Sequence, residues 1–534
     1  MDSISSSAET STVDDVRSTD TRPDSRFLTM AVGILVAILA LAAILNLTTI
    51  ITCIKAKGDV TFPESAVTTV SLSFAQTGKL YTSLDRPPFT PVAYGPVFYM
   101  GLALVAKLFH LQFVGLAIAG RILTATSFLL LCIVLYVTAR RCGHSPWLSS
   151  LPSAFLIVDY SFARWNASVR PDVPAILFSV CAVALILKPS HKLAALAGAC
   201  SAVAFLMKFT YVAAPVAIVI WLLWSKRYSQ AVWFCSFAAV VSALFLAIFL
   251  VRGDPIFSQF LIMRHLQVSS RSGWFGLITQ QLANDTTKLV LLFCLIALIP
   301  SSLPNTWVRP EMRLITLYFA LCWIIALLTC SNSGADLNYF LAPQSAGMLL
   351  IPFGAMNLTQ AWPRTPIVIR RFVLLTVVFA CALLPLSWFH LLSQLKVNAS
   401  PAQALLPALA KSHTLSDSSY LTAVGKEPEL LDPYLSAQLE ISGKWSSEPI
   451  LDSLSKERYD LVIIRLEQGS MPDFHGQPHF SPKVTRGIDE NYQPFCKSRV
   501  LLVMVPLRRT LSPDLQQGVS TGCEQMGGLR LPPS

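Results

Sequence analysis

Long apolar runs separated by short polar turns make up most of this chain. The first run extends from Phe27 to Ile54, and ten more follow at about 116–138, 146–160, 172–187, 193–207, 209–224, 230–251, 287–304, 314–330, 339–357 and 372–392. A helix perpendicular to a bilayer needs about 20 apolar residues to cross it, so the shorter runs require tilt or a thin bilayer. The pattern predicts an α-helical polytopic membrane protein with about eleven transmembrane helices.

Lysine and arginine in the turns predict the orientation of these spans. With the N-terminus inside, every turn that would face the cytoplasm is basic: 139–141, 188–192, 225–227, 309–313 and 364–371. An excess of these residues is typical of cytoplasmic loops. A crossing at 95–113 would invert all later turns, so we expect an interfacial helix there. The same orientation argument predicts that the runs 193–207 and 209–224 form two short helices with a break at Lys208.

Both ends of the chain differ from its apolar middle. Residues 1–26 are rich in Ser, Thr and Asp and are predicted to be a disordered cytoplasmic tail. The transmembrane domain then covers 27–393, with a first outer loop at 55–115. Residues 394–534 would face outward as a small α/β extracytoplasmic domain.

Two strand-like runs in the C-terminal region support that α/β assignment. They lie at 459–466 and 499–507 and are separated by helix-like and loop segments. The stretch after Leu511 is expected to be a loosely ordered tail.

Composition agrees with a membrane protein and excludes other classes. Of the 534 residues, 53% are hydrophobic and 13% charged, whereas soluble domains carry about 25% charged residues. The net charge of +11 follows from the cytoplasmic turns, and no basic tract with interleaved aromatic residues indicates nucleic-acid binding. The cysteines lack metal-ligand spacing, and Cys496 and Cys523 can pair only if the C-terminal region faces an oxidising compartment.

The stretch Gly58–Tyr99, in the first outer loop, contains two carboxylates just beyond the first span. Glu64 follows Pro63 and precedes a run that ends at Gly78, which predicts a helix of about four turns. Its carboxylate is interpreted either as a helix-start acid or as a general base held at the bilayer surface. Asp59 lies nearer the span.

Two further segments bring charge to the same outer face. In SFARWNASVRPD, Arg164 and Arg170 precede Asp172, which is either a helix-start carboxylate or part of an anion site. Lys208 has apolar residues on both sides, and we favour a functional role over a snorkelling lysine, because ionisable groups at membrane depth are costly.

Several motifs in this order resemble those of the GT-C superfamily of membrane glycosyltransferases, closest to the bacterial branch related to protein O-mannosyltransferases and lipid A aminoarabinose transferases. The resemblance covers about residues 28–360. It rests on Glu64 with Gly78, Gly-Lys-Leu-Tyr81, Tyr94-Gly95-Pro96, Arg121, Arg170-Pro171-Asp172, Lys208-Phe-Thr and Asp336-Leu-Asn338-Tyr339-Phe.

The resemblance implies an inverting transferase of the bacterial inner membrane with its active site outside. It would move sugar from a polyprenyl-phosphate donor to an acceptor hydroxyl or amine. Glu64 would be the base and Asp172 the second essential acid. Asp59 would stand in for the acid that usually precedes the glutamate, where this chain has Pro63.

The remaining candidate residues would bind the substrate or the donor phosphate, and a divalent metal is optional. They are Lys208, Arg170, Arg164, Arg121, Tyr94, Asp336, Asn338 and Tyr339.

Two other functions fit the same membrane content. A transporter or flippase of lipid-linked sugars is one, although its ionisable groups would be expected near the midplane rather than on one face. The other is an assembly or sensor protein that works through its C-terminal domain.

Overall fold

The computed structural model describes residues 22–62, 64–84, 87–89, 91–253, 271–298, 309–332, 335–361, separate positions between 366 and 392, 401–466 and 479–531. Its first helices are α1 (Arg22–Lys55), α2 (Glu64–Thr77), α3 (Pro96–Phe109), α4 (Phe113–Arg141), α5 (Pro146–Val158), α6 (Asp172–Ile186), α7 (His191–Met207), α8 (Ala213–Trp224) and α9 (Tyr228–Val251). Later helices of this part are Arg271–Ala283, Asp285–Leu298, Pro310–Thr329, Leu341–Met348 and Ile351–Ala361.

The protein is mostly helical, with several helices apolar enough for a bilayer. Four of the described helices are long enough to cross it: Gly33–Lys55, Phe113–Arg141, Tyr228–Val251 and Pro310–Thr329. The pair Trp274–Ala283 and Asp285–Leu298, bent by 79°, would add a fifth if it forms one span. Shorter apolar helices of 10–17 residues lie at most of the other predicted spans, so the count of eleven stays a prediction.

Helix α1 begins earlier than predicted. It starts at Arg22, so residues 22–26 are helical and do not belong to a disordered tail. The rest of that predicted tail, 1–21, lies outside the described residues.

Helix α2 forms as predicted from the Glu64 and Gly78 positions. It spans Glu64–Thr77, and Gly78 follows with φ +72°, a left-handed conformation that glycine adopts at little cost. The apolar segment after it forms α3, with Pro96 at the first helical position.

The predicted break at Lys208 is confirmed. Helix α7 ends at Met207, Lys208 has extended backbone, and α8 begins at Ala213. The Gly95 N–H donates to the Met207 carbonyl at 3.1 Å. A Cβ at Gly95 would lie 2.0 Å from the Leu206 carbonyl oxygen, so only glycine allows the first loop to approach this break.

The C-terminal region contains a five-stranded sheet. The strands are β1 (Thr414–Ser416), β2 (Leu461–Arg465), β3 (Tyr492–Lys497), β4 (Leu501–Pro506) and β5 (Leu529–Arg530), in the order β1-β2-β4-β3-β5. Strands β1 and β2 are parallel, and the other pairs are antiparallel. Strands β2 and β4 confirm the two strand predictions. The helices around the sheet are Leu406–Leu409, Ser419–Ala423, Pro433–Ile441, Glu448–Ser455, Pro482–Asn491 and Pro513–Gln525.

The expectation of a loosely ordered tail after Leu511 is wrong. Helix Pro513–Gln525 buries Val519 and Cys523 in the core of the sheet domain, and Cys523 forms a disulfide with Cys496 of β3. The apolar positions of this helix are few and widely spaced, so its buried face has no clear signature in the sequence.

The sheet domain packs on the first outer loop. The Trp445 Nε1–H donates to the Leu84 carbonyl at 2.8 Å, and the Phe62 and His479 rings meet edge to face at 5.9 Å. These contacts bring the C-terminal domain next to the loop that carries the acidic residues.

We expect Gly95→Ala to lower the thermal unfolding midpoint and the activity of the purified protein, because the new methyl group would collide with the end of α7. Gly101→Ala is the matched control in α3, since a Cβ there meets nothing within 4 Å and alanine favours a helix. Equal midpoints for the two variants would contradict the close approach.

Candidate active site

A buried ion pair anchors the first outer loop to α4. Arg121 Nε donates to Glu64 Oε1 at 2.9 Å and Arg121 Nη2 donates to Oε2 at 2.8 Å, with both side chains at most 3% exposed. The guanidinium also donates to the carbonyls of Ala56 and Gly58 at 2.5 and 2.6 Å. This fork geometry joins the end of α1, the start of α2 and the middle of α4.

Two backbone amides complete the environment of the Glu64 carboxylate. Val169 N–H donates to Oε1 at 2.7 Å and Val60 N–H donates to Oε2 at 2.8 Å. A carboxylate has about four acceptor positions, and all four are used. Glu64 therefore joins the first loop to the 160–171 loop, and none of its acceptor positions is left for a substrate proton.

Asp59 has a different environment a few residues away. Its Oδ1 accepts a hydrogen bond from the Ser65 hydroxyl, and Oδ2 has no hydrogen-bond partner in the part of the chain that the structure describes. Desolvation and the nearby Glu64 carboxylate raise the pKa of Asp59 to about 7, against the opposing effects of Ser65, Arg121 and Arg465. A half-buried carboxyl with this pKa and a free oxygen suits proton transfer near neutral pH.

Asp172 is the centre of a second buried cluster. Its Oδ1 accepts from Lys208 Nζ at 2.6 Å and from Asn338 Nδ2 at 2.9 Å, and Oδ2 accepts from Arg170 Nε at 3.2 Å. Two cations thus share one carboxylate in a region where all three charged side chains are at most 10% exposed. This hydrogen-bonded triad has a net charge of +1, which favours an additional anion.

The Asp172 cluster and the Glu64 pair lie side by side. Arg170 Nη1 donates to the Phe62 carbonyl at 2.5 Å, only two residues before Glu64, while the adjacent Val169 contacts Glu64 itself. The two loops named in the sequence analysis therefore form one polar site at the start of α6.

Aromatic rings surround the two cations. Lys208 Nζ lies 4.6 Å from the Tyr339 ring centroid and 6.0 Å from that of Tyr94. Arg170 lies 4.7 Å from the Trp165 centroid and 5.5 Å from Tyr94. Such contacts stabilise desolvated cations.

A cleft lies next to Lys208, between α8 and helix Pro310–Thr329. Its polar end has Lys208 and Asn338, and its walls are otherwise mostly apolar. The lining residues are Ser179, Lys208, Thr210, Tyr211, Ala213, Ala214, Tyr318, Cys322, Ile325, Ala326, Thr329, Asn338, Tyr339 and Ala342. A charged end and an apolar channel suit an amphipathic ligand.

The predicted site residues divide between these features. Arg170, Asp172, Lys208, Asn338, Tyr339 and Tyr94 come together, whereas Arg121 is engaged with Glu64. Asp336 begins the turn before Asn338 and accepts from the Leu337 N–H. The structure places Arg164 in electrostatic range of Cys53 and Tyr160.

Sequence reasoning missed the residues that the C-terminal domain adds. Arg465 of β2 lies 3.0 Å from the His479 ring nitrogen and acts electrostatically on Asp59. Asp432 is buried, and desolvation raises its pKa to about 6 despite the nearby Arg170. No signal in the sequence joined these positions to loops more than 250 residues away.

Sequence reasoning also missed Trp165 and Tyr211, whose rings lie next to Arg170 and Lys208. Trp165 directly follows the predicted cation Arg164, and Tyr211 lies three residues after Lys208. An aromatic residue close in sequence to a buried cation was therefore the available signal. Within the described ranges, no group of three or more His, Cys, Asp or Glu side chains is arranged to hold a metal ion.

Arg121→Met should lower the unfolding free energy by about 3–5 kcal/mol, because it leaves Glu64 buried without its partner. The double variant Arg121→Met with Glu64→Gln should recover part of that loss. Thermal unfolding of the protein in detergent measures both, and a double variant less stable than Arg121→Met alone would contradict the coupling.

Comparisons with known proteins found one matching family and several solved structures with a similar fold. Residues 88–252 match a family described as dolichyl-phosphate-mannose-protein mannosyltransferase. A comparison with curated protein sequences found no match.

Solved structures resemble nearly the whole chain. ArnT from Cupriavidus metallidurans in the apo state covers 89% of this chain and 98% of its own, with 13% identity and a TM-score of 0.58. The same protein bound to undecaprenyl phosphate covers 88% and 98%, with 13% identity and a TM-score of 0.56. AglB from Archaeoglobus fulgidus, in complex with an inhibitory peptide and a dolichol-phosphate, covers 87% and 73%, with 11% identity and a TM-score of 0.51.

At these identities the structural likeness concerns the fold, and the family match adds sequence evidence for residues 88–252. Together they agree with the resemblance drawn from the motifs: the fold of this integral membrane protein is similar to those of ArnT and AglB, and residues 88–252 match the mannosyltransferase family.

Proposed function

We propose that this protein transfers a sugar from a polyprenyl-phosphate donor to a hydroxyl or amine acceptor, with inversion at the anomeric carbon. The observation that carries the proposal is the buried triad of Arg170, Asp172 and Lys208, whose net positive charge adjoins a mostly apolar cleft. A donor with a phosphate on a long lipid tail has the matching chemistry. The ArnT and AglB structures bound to undecaprenyl phosphate and dolichol-phosphate support the same donor class.

Lys208 and Arg170 would bind the donor phosphate. In the reaction the bond between the anomeric carbon and the phosphate oxygen breaks, and the polyprenyl phosphate leaves with its electron pair. Two cations held in place before the reaction stabilise this developing charge without reorganisation. Asp172 and Asn338 hold Lys208 in position, and the tail would lie along α8 and helix Pro310–Thr329.

Two other acids act on Arg170 at longer range and must be included in the charge balance. Asp336 and Asp432 each accept a backbone N–H with Oδ1, from Leu337 at 2.6 Å and from Leu435 at 3.0 Å. Both carboxylates interact electrostatically with the Arg170 guanidinium. The anion site is therefore the part of the cluster centred on Lys208, which faces the cleft.

Asp59 is the general base of this proposal, and Glu64 is a positioning residue. The resemblance implies Glu64 as the base, but its four acceptor positions are filled by Arg121, Val60 and Val169. Asp59 Oδ2 accepts no hydrogen bond from the described residues, and desolvation and Glu64 raise the pKa of this carboxyl to about 7. It would take the acceptor proton while the acceptor oxygen or nitrogen forms the new glycosidic bond.

The acceptor would approach between the first loop and the C-terminal domain. Phe62 and His479 are in ring contact there, and Arg465 acts on Asp59 from the same side. This arrangement assigns the donor to the membrane side of the site and the acceptor to the side of the sheet. Under this proposal the active site would be on the outer face of a bacterial inner membrane, with the N-terminus in the cytoplasm.

Asp59→Asn should lower kcat by about 10²–10⁴-fold without changing the unfolding midpoint. In the unmodified protein, activity should rise with pH through about 7, because Asp59 must be deprotonated to accept a proton. Sugar transfer from synthetic polyprenyl-phosphate sugar measures both effects.

Two variants keep that experiment interpretable. Asp489→Asn, an exposed acid of the C-terminal domain, should leave rate and pH profile unchanged. Glu64→Gln should reduce stability together with activity. If Glu64→Gln instead abolishes transfer in a protein of normal stability while Asp59→Asn remains active, the base is Glu64.

Lys208→Ala should raise the donor KM by about 10–100-fold, the loss of one charge-assisted hydrogen bond, with little change in the acceptor KM. Lys107→Ala, an exposed lysine of α3, is the control. A change confined to the acceptor KM would contradict the phosphate role of Lys208.

A further inference from the structure

Four basic turns lie at the helix ends opposite the candidate active site. Helix α6 starts at Asp172 in that site and ends at Ile186. Close to this far end, Arg141 Nη1 in the last turn of α4 donates to the Ala184 carbonyl at 2.5 Å. The proposed transfer reaction uses none of these turns, which are 139–141, 188–192, 225–227 and 309–313.

Two hydrogen bonds join the helix ends of this region. Arg227 Nη1, at the start of α9, donates to the Ile186 carbonyl at 3.4 Å. Trp221 Nε1, in the last turn of α8, donates to the carbonyl of Pro310 at 2.7 Å. Pro310 begins the helix that carries Arg313. The end of α6, the α8–α9 turn and the start of this later helix therefore meet in one place.

Two arginines adjoin neighbouring indole rings at the end of α8. Arg227 Cζ lies 4.7 Å from the Trp221 ring centroid, and Arg313 Cζ lies 5.4 Å from that of Trp224. The two tryptophans are three positions apart, so they lie on the same side of the helix. Pro310, whose carbonyl Trp221 contacts, precedes Arg313 by three positions as well. Both guanidinium groups thus belong to one small region.

Acidic side chains do not balance the charge of these turns. The four turns together contain eight Lys and Arg and a single acid, Glu311. Glu311 lies two positions before Arg313, a spacing that does not bring helix side chains face to face, and its charge acts on Cys142 next to α4. Among the described residues, no Asp or Glu forms an ion pair with Arg227, and Arg227 Nη2 has no hydrogen-bond acceptor.

The surface around the two arginines is apolar and exposed. Leu223 and Trp224 at the end of α8 are 49% and 60% exposed, and Tyr228 at the start of α9 is 59% exposed. Exposed aromatic residues beside Lys and Arg are typical of the boundary between a bilayer and water. An anion that covers both the cations and this apolar surface must carry hydrocarbon, which a phosphate ion in solution does not.

We propose that an anionic phospholipid binds at this surface, with its headgroup phosphate at Arg227 and Arg313 and its acyl chains against Leu223 and Trp224. Arginine donors match the geometry of a phosphate group, and basic pockets between helix ends bind anionic headgroups in other membrane proteins. The lipid would hold the α8–α9 turn against the start of helix Pro310–Thr329.

This lipid site is separate from the proposed donor site. Helix α8 has 12 residues, so it places about 18 Å between the loop after Lys208 and the turn at Arg227. The charge of basic turns also orients membrane insertion, but that role requires no arginine packed on the buried Trp221 ring.

The test is thermal unfolding of the full-length protein in a neutral detergent. Phosphatidylglycerol should raise the midpoint with a saturating dose dependence, by at least about 3 °C more than phosphatidylcholine with the same acyl chains. Inorganic phosphate at constant ionic strength should give no such increase.

Paired variants locate the effect. The double variant Arg227→Gln with Arg313→Gln should raise the phosphatidylglycerol concentration that gives half of the shift by about 30-fold, because two cations are lost near the headgroup. Arg486→Gln with Arg499→Gln removes two exposed arginines of the C-terminal domain and should leave that concentration unchanged.

A single variant keeps the test decisive if the double variant does not fold. Arg313→Gln leaves the hydrogen bond of Arg227 to Ile186 in place and should raise the half-shift concentration by about 5-fold.

Three results would overturn the proposal. They are equal midpoints in the two phospholipids, a phosphatidylglycerol effect that is unchanged in the Arg227 and Arg313 variants, and an equal shift from inorganic phosphate. The readout needs neither sugar donor nor acceptor, so failure here is independent of the proposed sugar transfer.

Discussion

The sharing of one carboxylate by two buried cations is the constraint on which the rest of the site depends. Asp172 can hold Lys208 and Arg170 only if the α7–α8 break, the loop before α6 and the turn at Asn338 all reach the same point. Buried charges that lose a partner cost several kcal/mol. The charge of the Arg170, Asp172 and Lys208 triad is therefore tolerable only in a structure that holds these side chains rigidly.

The Glu64–Arg121 pair provides that rigidity from the other side. Every strong acceptor of Glu64 and most donors of Arg121 are used in joining α1, α2, α4 and the loop at Val169. Such a closed network keeps the first loop in place but leaves little freedom for chemistry. The different roles that we propose for Glu64 and Asp59 rest on this difference in hydrogen bonding, since both acids lie in one short loop.

Local features were predictable from the sequence because their causes are local. The start of α2 after proline, its end at Gly78, the break at Lys208 and strands β2 and β4 each follow from a few neighbouring residues. The location of Arg170, Asp172 and Lys208 on one face followed from the basic turns. The sequence did not predict which side chains would pair. Arg121 and Glu64 are 57 positions apart in the chain, and Asn338 and Asp172 are 166 positions apart.

The C-terminal sheet marks the limit of sequence reasoning most clearly. Its helix Pro513–Gln525 has too few apolar positions to predict burial. The disulfide of Cys523 and the packing of Val519 depend on the position of β3, which the helix sequence does not contain. The same is true of Arg465 and His479, which reach the acidic loop only because the sheet packs on Phe62 and Leu84. A domain that contacts the loop carrying Asp59 can adjust that carboxyl's environment directly, so in the proposed function acceptor recognition and proton transfer would share one surface.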